Sequence, residues 1–440
     1  MRRFIAAAAA VVLTLGFFGC SGETKDVNVS SESDVTTITW WAFPTFAQEN
    51  KEDVWGTYEK SLIGEFEEKH KDIKVNLNII DFTIGPDKLE YAIKNKAECD
   101  VLFDAPGRII SYGKRNLLVI LDDMFTEEFE QDVNNPEILD ACKIDGKPYM
   151  YPLSTAPFYM AFNKEYLEDA GVSDFVKEGW TTDDFTKVIT ALHEKSYISG
   201  MVYCDGKSGD QGTRAFMYNL FSSHMINSDF SEYTINDENG KKAFRYVKEM
   251  VDNGCLRNGS GQTSSTTIAR FVEGNASFTL LWGPCQQNYF KDTLDVSGVE
   301  PVEVPFPSDD GTPELEYLIN GFCIFNSGDE KKIAASKEFV KFLCDDETVG
   351  KKNVIRTGCF PVRNSYGDLY ESDRMKKIAE WEKYYGTYYN TVDGFDDMRV
   401  YWYESLQALM FSVKSPDECA DNFVKLANST IVKKEKEDSE

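Results

Sequence analysis

The sequence predicts an α/β protein with two lobes. Its 440 residues exceed what one ordinary domain core buries, so two lobes are the expected arrangement. Between Thr36 and Leu121, short apolar or alternating runs predict strands, and longer runs with apolar residues at helical spacing predict helices. Strand and helix alternate as in parallel α/β units, whose functional residues gather at the carboxyl ends of the strands.

The N-terminal stretch predicts export and a lipid anchor. After three residues that carry two arginines, the apolar run Phe4–Phe18 is too short to span a bilayer comfortably. Gly19-Cys20 and a polar stretch follow at once. We expect a lipoprotein signal peptide over residues 1–19, lipidation of Cys20 and a tether over residues 20–35; a plain secretory signal cleaved near Gly22 is the alternative. The protein would be exported and lipid-anchored at the cell membrane, on the outer face of the cytoplasmic membrane or in the periplasm.

The first lobe is predicted from five elements in regular order. They are a strand over Thr36–Trp41, a helix over Glu49–His70, a strand over Lys74–Ile80, a helix over Asp87–Lys96 and a strand over Asp100–Asp104, before a further helix that opens at Pro106. The residues at or just after the strand ends include Trp41, Phe43, Asp104 and Arg108. These four are candidates for a functional site.

The stretch Gly146–Gly171 departs from this alternation. Its prolines fix φ and push the residues before them into extended conformations. It predicts, in order, a tight turn at Asp145-Gly146, an extended segment over Tyr151–Ala156, a strand over Phe158–Phe162, and a helix over Lys164–Ala170 that Asn163 caps and Gly171 ends.

The remainder of the chain continues the α/β pattern. Thr181 or Thr182 is a plausible N-cap for a helix with acids in its first turn. The Gly-rich residues 204–213 lack the spacing of a phosphate-binding loop. Further predicted elements are a helix over Arg214–Ser223, strands over Val302–Pro307 and Tyr317–Phe325, and two last helices that begin at Val400 and Ser415-Pro416.

Several stretches, in this order, resemble the bacterial extracellular solute-binding proteins of family 1, the maltose- and oligosaccharide-type sugar receptors of ABC importers. They are ITWWAF, SLIGEFEEKHKDIKVNLNI, CDVLFDAPGRIISYGKRNLLVILDD, the Gly146–Gly171 stretch, GWTTDDF, FVEGNASFTLLWGP and GCFPV. The resemblance covers about residues 36 to 430. It implies a two-lobed periplasmic-binding-protein fold, type II-like, in which the chain crosses between the lobes three times.

Laid onto this chain, the resemblance implies where the lobes divide. The first lobe would comprise residues 36–154 and 321–372, and the second lobe residues 155–320 and 373–440. The chain would cross near Ser154–Ala156, Ile319–Phe322 and Tyr370–Arg374, and these crossings would form the hinge.

The resemblance also implies a ligand site in the cleft between the lobes. Sugars present apolar C–H faces and polar rims, so a sugar site combines aromatic faces with carboxylate, amide and guanidinium groups. The expected ligand contacts are Trp41, Phe43, Asp104, Arg108, Phe158, Arg214, Tyr218, Trp282, Asn320, Trp402 and Tyr403. Trp402 is expected to be a principal contact on the second lobe, because we place it at a helix start in the aromatic cluster Tyr401–Tyr403.

Charge and motifs exclude several other classes of function. A net charge of −27 repels phosphate backbones and anionic membranes, so we expect no nucleic-acid binding. The three histidines lie far apart in sequence, and no nucleophile or zinc-protease motif occurs. We expect no cofactor and no metal. Asp393, Asp396 and Asp397 are expected in a solvated acidic loop, with calcium as the lesser alternative.

Nine cysteines remain after Cys20, and none forms a C-x-x-C motif. An odd number in an exported protein leaves at least one thiol free or paired outside the chain. Those in apolar patterns, such as Cys323 and Cys344, are interpreted as small buried residues. We expect few or no disulfides.

The sequence therefore predicts a lipid-anchored, monomeric substrate-binding subunit that captures a carbohydrate, such as an oligosaccharide, by hinge closure and delivers it to ABC permease subunits in the membrane. A binding protein for a non-sugar solute and a surface glycoside hydrolase with paired carboxylates remain alternatives, as does an adhesion or scaffold protein. No enzymatic activity is expected.

Overall fold

The computed structural model describes residues 35–50, 53–82, 84–206 and 208–431. The predicted signal peptide, Cys20 and nearly all of the predicted tether lie outside the described residues. Within the described ranges, no helix has both the length and the apolar composition needed to cross a membrane.

The elements up to the first crossing are β1 (Thr36–Ala42), α1 (Thr57–Lys69), β2 (Ile73–Ile79), α2 (Gly85–Lys94), β3 (Val101–Asp104), α3 (Pro106–Lys114), α4 (Glu127–Asp132), α5 (Pro136–Ala141), β4 (Lys143–Ile144), β5 (Lys147–Pro148) and β6 (Tyr151–Pro157). The following elements are β7 (Tyr159–Asn163), α6 (Lys164–Ala170), α7 (Thr182–Glu194), β8 (Met201–Asp205), α8 (Gln211–Asn219), α9 (Glu238–Asp252), β9 (Arg257–Thr263), α10 (Ser264–Val272), β10 (Phe278–Trp282), α11 (Pro284–Tyr289), α12 (Lys291–Ser297) and β11 (Pro301–Val304).

The last elements are β12 (Tyr317–Ile324), α13 (Glu330–Asp345), α14 (Glu347–Thr357), β13 (Phe360–Pro361), α15 (Asp373–Ala379), α16 (Phe395–Met410) and α17 (Pro416–Asn428). Three short 3₁₀ helices cover Ser173–Phe175, Asn364–Tyr366 and Glu380–Tyr384.

The first lobe is built on a six-stranded sheet with the order β13-β6-β12-β3-β1-β2. β1 is parallel to both β2 and β3, as the alternation of strands and helices predicts. β12, β6 and β13 add to this sheet in antiparallel orientation. They come from distant parts of the chain, so local sequence patterns could not show that they join it.

The second lobe contains an antiparallel sheet with the order β10-β7-β11 and the parallel pair β8-β9. Each lobe has its own cluster of buried residues. Phe360 and Tyr388 pack into the cluster of the opposite lobe; apart from them, the chain passes between the two clusters at three places: from Leu153 to Phe158, from Leu315 to Tyr317, and between Tyr366 and Met375. The exact residues at which the lobes are expected to divide stay a prediction.

The Gly146–Gly171 stretch folds as its residues predict. Asp145 and Gly146 both adopt positive φ, 49° and 77°, in the turn between β4 and β5. The Asn163 side chain accepts a hydrogen bond from the amide of Glu165 at the start of α6, and Gly171 ends the helix in the left-handed conformation.

Two helix starts differ from prediction by five residues or more, and both follow a glycine. α1 begins at Thr57 instead of Glu49, because Gly56 has a φ of 97° and interrupts the helical backbone. α16 begins at Phe395 instead of Val400, directly after Gly394, whose φ is 72°. Asp396 and Asp397 therefore lie in the first turn of a helix, where the helix dipole favours acids, and not in a loop.

Candidate functional site

Three of the predicted contacts meet on one surface of the first lobe. Asp104 ends β3, and Arg108 lies one turn into α3. The Arg108 Nε donates to Asp104 Oδ2 at 2.5 Å and its Nη2 to Oδ1 at 3.3 Å. The guanidinium lies over the Phe43 ring, 5.3 Å from its centroid. β1 and β3 are parallel neighbours, so their carboxyl ends bring Phe43 and Asp104 together.

An exposed aromatic ring extends this surface. The Phe82 ring stacks on Phe43 with centroids 5.1 Å apart and an angle of 8° between the planes, and Phe82 is 56% exposed. The surface thus offers an apolar face beside a guanidinium and a carboxylate. Burial acts to lower the pKa of Arg108, but the Asp104 carboxylate outweighs it and raises that pKa, so Arg108 is charged.

The second lobe meets this surface at the start of α3. A Cβ on Gly107 would lie 3.3 Å from the Asn390 carbonyl oxygen and 3.8 Å from Cε1 of Phe395. Nearby, the Lys114 ammonium donates to the Thr391 carbonyl at 2.7 Å. The lobes therefore touch here, and the absence of a side chain at residue 107 allows the close approach.

A buried network of charges lies behind this contact in the second lobe. Arg214 is fully buried and makes two hydrogen bonds to Glu316, from Nε to Oε1 at 3.1 Å and from Nη2 to Oε2 at 2.6 Å. It also forms an ion pair with Asp210, and its guanidinium lies 5.2 Å from the ring of Tyr389. The Tyr389 hydroxyl donates to Glu316 Oε1 at 2.5 Å. Buried charges need such partners, because desolvation is otherwise too costly.

Arg399 connects this network to the interface between the lobes. Its Nε donates to Asp210 Oδ1 at 2.7 Å, and its Nη1 lies 3.6 Å from Asp396. Burial, together with the positive charges of Arg214 and Arg108, lowers the pKa of Arg399 to about 10. Arg399 remains protonated at neutral pH. The interface therefore carries guanidinium groups from both lobes, which favours ligands rich in hydrogen-bond acceptors.

Trp402 does not lie at this interface, and this corrects its predicted position. Its ring has no exposed surface and packs edge-on against Phe244 and Phe423 in the second core. Its indole N–H donates to Thr213 Oγ1 at 3.0 Å. Because α16 starts five residues earlier than expected, Trp402 lies in the middle of the helix. Arg399 lies nearer the helix start, 5.6 Å from the ring of Phe395, which approaches Gly107 of the first lobe.

Three further aromatic candidates are buried with their polar atoms bonded inside the lobes. Trp41 donates its indole N–H to the Glu98 carbonyl at 2.9 Å, and Trp282 donates to Glu303 Oε1 at 3.2 Å. The Tyr403 hydroxyl donates to the Ser208 carbonyl at 3.2 Å. These residues do not join Phe43, Asp104 and Arg108. Strand and helix ends alone do not reveal which side of an element faces its own core.

The remaining candidates occupy three places. Arg214 is part of the buried network, and Tyr218 is buried beside it, where its hydroxyl donates to the Glu314 carbonyl at 3.3 Å. Asn320 lies on β12, and its amide contacts Ser154 Oγ at 3.4 Å and Cys359 Sγ at 3.7 Å. Phe158 is buried at the start of the second core.

The sequence argument missed Arg399, Glu316, Tyr389 and Asn390. The first could have been found from Gly394 and the acids after it, since a glycine followed by Asp residues signals a helix start. The other three offer no local signal. Glu316 lies in the second crossing, and Tyr389 and Asn390 follow the third, so only tertiary packing brings them near Arg214 and α3.

A cavity of about 1070 Å³ lies elsewhere between the lobes. None of the eleven predicted contacts lines it. Its charged lining residues are Lys114, Glu137, Asp140, Asp229, Glu232 and Asp393, so its lining is mainly acidic. It lacks the guanidinium groups and the stacked rings of the surface around Arg108.

The buried acids of this network and the three histidines are each engaged by other groups. Asp210 and Glu316 are both engaged by Arg214, which leaves neither as a free acid or base. The histidines have separate partners: His70 stacks on Phe66, His193 lies against Gly254, and His224 pairs with Glu314. Among the described residues, no group of three metal-ligating side chains is placed to hold a metal ion.

Comparison with known proteins identifies the family of this chain. Residues 61–386 match the family model described as bacterial extracellular solute-binding protein. The chain is 24% identical over 341 residues to the melibiose/raffinose/stachyose-binding protein MelE of Bacillus subtilis (strain 168). This alignment covers 74% of this chain and 73% of MelE.

Two solved structures share the fold. The ABC substrate-binding protein Lmo0181 of Listeria monocytogenes, in complex with cycloalternan, has a TM-score of 0.71 at 19% identity and covers 90% of this chain and 99% of its own. The GacH receptor of Streptomyces glaucescens, solved unliganded and with acarbose, has a TM-score of 0.73 at 18% identity. The superposition covers 90% of this chain and 98% of GacH.

Proposed function

The chain belongs to the family of bacterial extracellular solute-binding proteins, and from this membership we propose that it is the carbohydrate-capturing subunit of an ABC importer. The observation that carries the proposal is the Asp104–Arg108 pair over the Phe43 ring, beside the place where Gly107 meets Asn390 and Phe395 of the other lobe and Arg399 lies over the Phe395 ring. An aromatic face beside charged hydrogen-bonding groups suits a sugar, whose C–H face is apolar and whose rim is polar.

The named ligands of the similar proteins support a carbohydrate. MelE is named for melibiose, raffinose and stachyose, and the two solved structures are described with cycloalternan and acarbose. Capture would take place between the lobes, which would close on the solute and present the closed form to the permease subunits. The protein would act as a monomer and release the sugar chemically unchanged.

A thermal-shift screen tests the ligand class. Monosaccharides to tetrasaccharides, including melibiose, raffinose and stachyose, are added to the purified protein. A ligand at about a hundred times its dissociation constant stabilises the folded protein by roughly 2.7 kcal/mol. Chromatography of the recovered sugar then separates a receptor from a hydrolase. If no carbohydrate raises Tm, or if the bound sugar is returned cleaved, the proposal is wrong.

Substitution of Arg108 tests the site. Arg108→Ala removes a charged hydrogen-bonding group worth about 1.5–3 kcal/mol, so the affinity for the best sugar of the screen should fall about ten- to a hundred-fold by calorimetry. Arg115→Ala is the matched control, because Arg115 follows the same helix but pairs with exposed Glu90. If Arg108→Ala and Arg115→Ala bind the sugar with equal affinity, the surface around Arg108 does not contact the sugar.

Substitution in the acidic cavity distinguishes the two places between the lobes. Asp229→Asn changes a lining residue of that cavity and none at the Arg108 surface. Its affinity for the same sugar should equal that of the unsubstituted protein. If Asp229→Asn lowers the sugar affinity more than Arg108→Ala does, the sugar binds in the cavity and not at the Arg108 surface.

We also propose that Cys20 carries a lipid anchor after removal of residues 1–19. The support is the short apolar run that ends at Gly19-Cys20, together with the extracellular role of the family. Cys20→Ala should abolish metabolic labelling with a fatty-acid analogue and release the protein from the membrane fraction. Labelling that persists in Cys20→Ala contradicts the anchor.

A further inference from the structure

Two cysteines from different lobes meet near the crossing strands. The Sγ atoms of Cys285 and Cys359 are 2.8 Å apart although 74 residues separate them in the sequence. Cys285 lies in the first turn of α11, which follows β10 of the second lobe, and Cys359 immediately precedes β13 at the edge of the first lobe's sheet. All nine described cysteines are free thiols in the structure.

The backbone segments that carry the two cysteines lie close together, so their proximity does not depend on the rotamers of the thiols. A Cβ on Gly358 would lie 3.3 Å from the Pro284 carbonyl oxygen, so the residue before each cysteine touches the other segment. Gly358 has a φ of 72° and ends α14, which turns Cys359 towards α11. A disulfide requires the two backbones to approach closely, and here the flanking residues touch and the Sγ atoms are already 2.8 Å apart.

The two thiols differ in access and in ionisation. Cys285 is partly exposed, whereas Cys359 is fully buried. Burial acts to raise the pKa of Cys359, but the hydrogen bonds from Cys285, Thr357, Ser154 and Asn320 outweigh it and lower that pKa. The hydrogen bond with Cys359 and burial raise the pKa of Cys285, so the thiolate of the pair is Cys359. The accessible Cys285 thiol therefore lies against a buried thiolate that can take its proton, which suits an attacking and a resolving thiol.

We propose that Cys285 and Cys359 form a reversible dithiol–disulfide site that reacts with small-molecule disulfides. In the first step the Cys359 thiolate takes the Cys285 proton while the Cys285 sulfur attacks a disulfide RSSR; a mixed disulfide forms on Cys285, RS⁻ leaves, and Cys359 passes the proton to it. The Cys359 thiolate then attacks the Cys285 sulfur and expels the second RS⁻, which is protonated by water. RSSR is reduced to two thiols, while the two cysteines are oxidised to one disulfide.

The cross-link would join the two lobes through α11. The other end of α11 already contacts the first lobe, because the exposed Tyr289 ring stacks on Trp55 with centroids 6.0 Å apart and an angle of 10° between the planes. A covalent bond at Cys285 would hold α11 at both ends and oppose opening of the lobes. This consequence rests on the proposed function, since it matters for release of a bound sugar.

Peptide mapping tests the site without any sugar. The folded protein is incubated with glutathione disulfide, remaining thiols are alkylated, and the digest is analysed by mass spectrometry without reduction. We expect one cross-linked peptide that joins the segments of Cys285 and Cys359, lost in Cys285→Ser and in Cys359→Ser and retained in the control Cys142→Ala. Alkylation of both cysteines, or a glutathione adduct on Cys285 that never resolves, would overturn the proposal.

Two physical readouts follow the cross-link. Oxidation should raise Tm by on the order of 5 °C in the unsubstituted protein and in Cys142→Ala, and not in Cys285→Ser. For a sugar found in the screen, oxidation should slow dissociation several-fold, again only when both cysteines are present. A disulfide that forms without slowing dissociation contradicts the link to lobe opening. If no sugar binds at all, the peptide map still shows whether the disulfide forms. Failure of the sugar-binding proposal and failure of the disulfide proposal are therefore distinguishable.

Discussion

Trp402 illustrates how a single residue's position depends on where its helix begins. Its ring packs against Phe244 and Phe423, and its N–H is bonded to Thr213 inside the second core. A fully buried indole contributes through apolar burial and close packing, so it has no face to offer a sugar. Its role in this protein is to hold α16 against α9 and α17.

Trp402→Ala should therefore destabilise the protein without affecting the site. Removal of a buried indole costs about 3–5 kcal/mol, through lost apolar burial and the cavity that remains. Denaturant unfolding of the sugar-free protein measures this loss. Trp55→Ala is the control, since Trp55 is 41% exposed and should cost far less. If Trp402→Ala has near-normal stability but binds sugar weakly, Trp402 is a ligand contact after all.

Glu59 is a buried acid whose ionisation opposes folding. It has no exposed surface, and its main partner is Gln48, whose Nε2 donates to it at 3.1 Å. Burial raises its pKa above the ordinary 4.5, and the hydrogen bonds to it only partly offset that rise. The native state therefore binds a proton at Glu59 more tightly than the unfolded state does, and stability falls as pH rises through the raised pKa.

Glu59→Gln should stabilise the protein at neutral pH. Below pH 4.5 the carboxyl is protonated in both states, so the variant and the unsubstituted protein should have similar stability. The advantage of Gln should grow as pH rises and level off above the native-state pKa. Each unit by which folding raises the pKa corresponds to about 1.4 kcal/mol. Glu65→Gln, on the exposed face of the same helix, is the control; an equal pH trend there would refute the assignment to burial.

At the scale of elements, caps decide where helices begin. Thr181 caps α7 with a capping box: its side chain accepts from the Asp184 amide at 3.2 Å, and the Asp184 carboxylate accepts from the Thr181 amide at 3.2 Å. The sequence left Thr181 and Thr182 as alternatives. The structure assigns the cap to Thr181, because Thr182 is buried and donates its hydroxyl to the Leu220 carbonyl.

Thr181→Ala should reduce the free energy of unfolding by about 1 kcal/mol, the usual cost of a lost N-cap. Thr181→Ser keeps the hydroxyl oxygen and should recover most of that stability. Urea unfolding of the three proteins measures the difference. If Thr181→Ser is as unstable as Thr181→Ala, the lost methyl packing and not the cap would explain the effect.

At the scale of the whole molecule, two cores are joined by three passages of the chain. β6 and β12 pair side by side where two of these passages run, with Asn320 opposite Ser154. The lobes also touch away from these strands, where Gly107 meets Asn390 and Phe395. We expect the lobes to separate at Gly107 while the paired strands bend.

Sugar binding should therefore make the protein more compact in solution. Small-angle scattering of the sugar-free protein should give a larger radius of gyration than the same sample with a saturating sugar from the screen. A non-binding sugar at equal concentration is the control for solvent contrast. Identical scattering curves with and without a saturating sugar would contradict hinge closure.

The sequence by itself determined the elements whose causes are local. Prolines and turn residues specify β6 and the β4–β5 turn, Asn163 and Gly171 bound α6, and Ser415 caps α17 as predicted. The ordered motifs identified the family and the two-lobed fold, which the comparisons confirm. Each of these signals depends on residues within a few positions of one another, so a short window of sequence contains it.

Only the tertiary structure decided which residues face each other. It joined Arg214 to Glu316 across 102 positions and Cys285 to Cys359 across 74, and it buried Trp402. Such contacts depend on the sheet order, on the start of a helix such as α16, and on how two separately packed lobes meet. They arise from many weak interactions between distant segments, which no short stretch of sequence records.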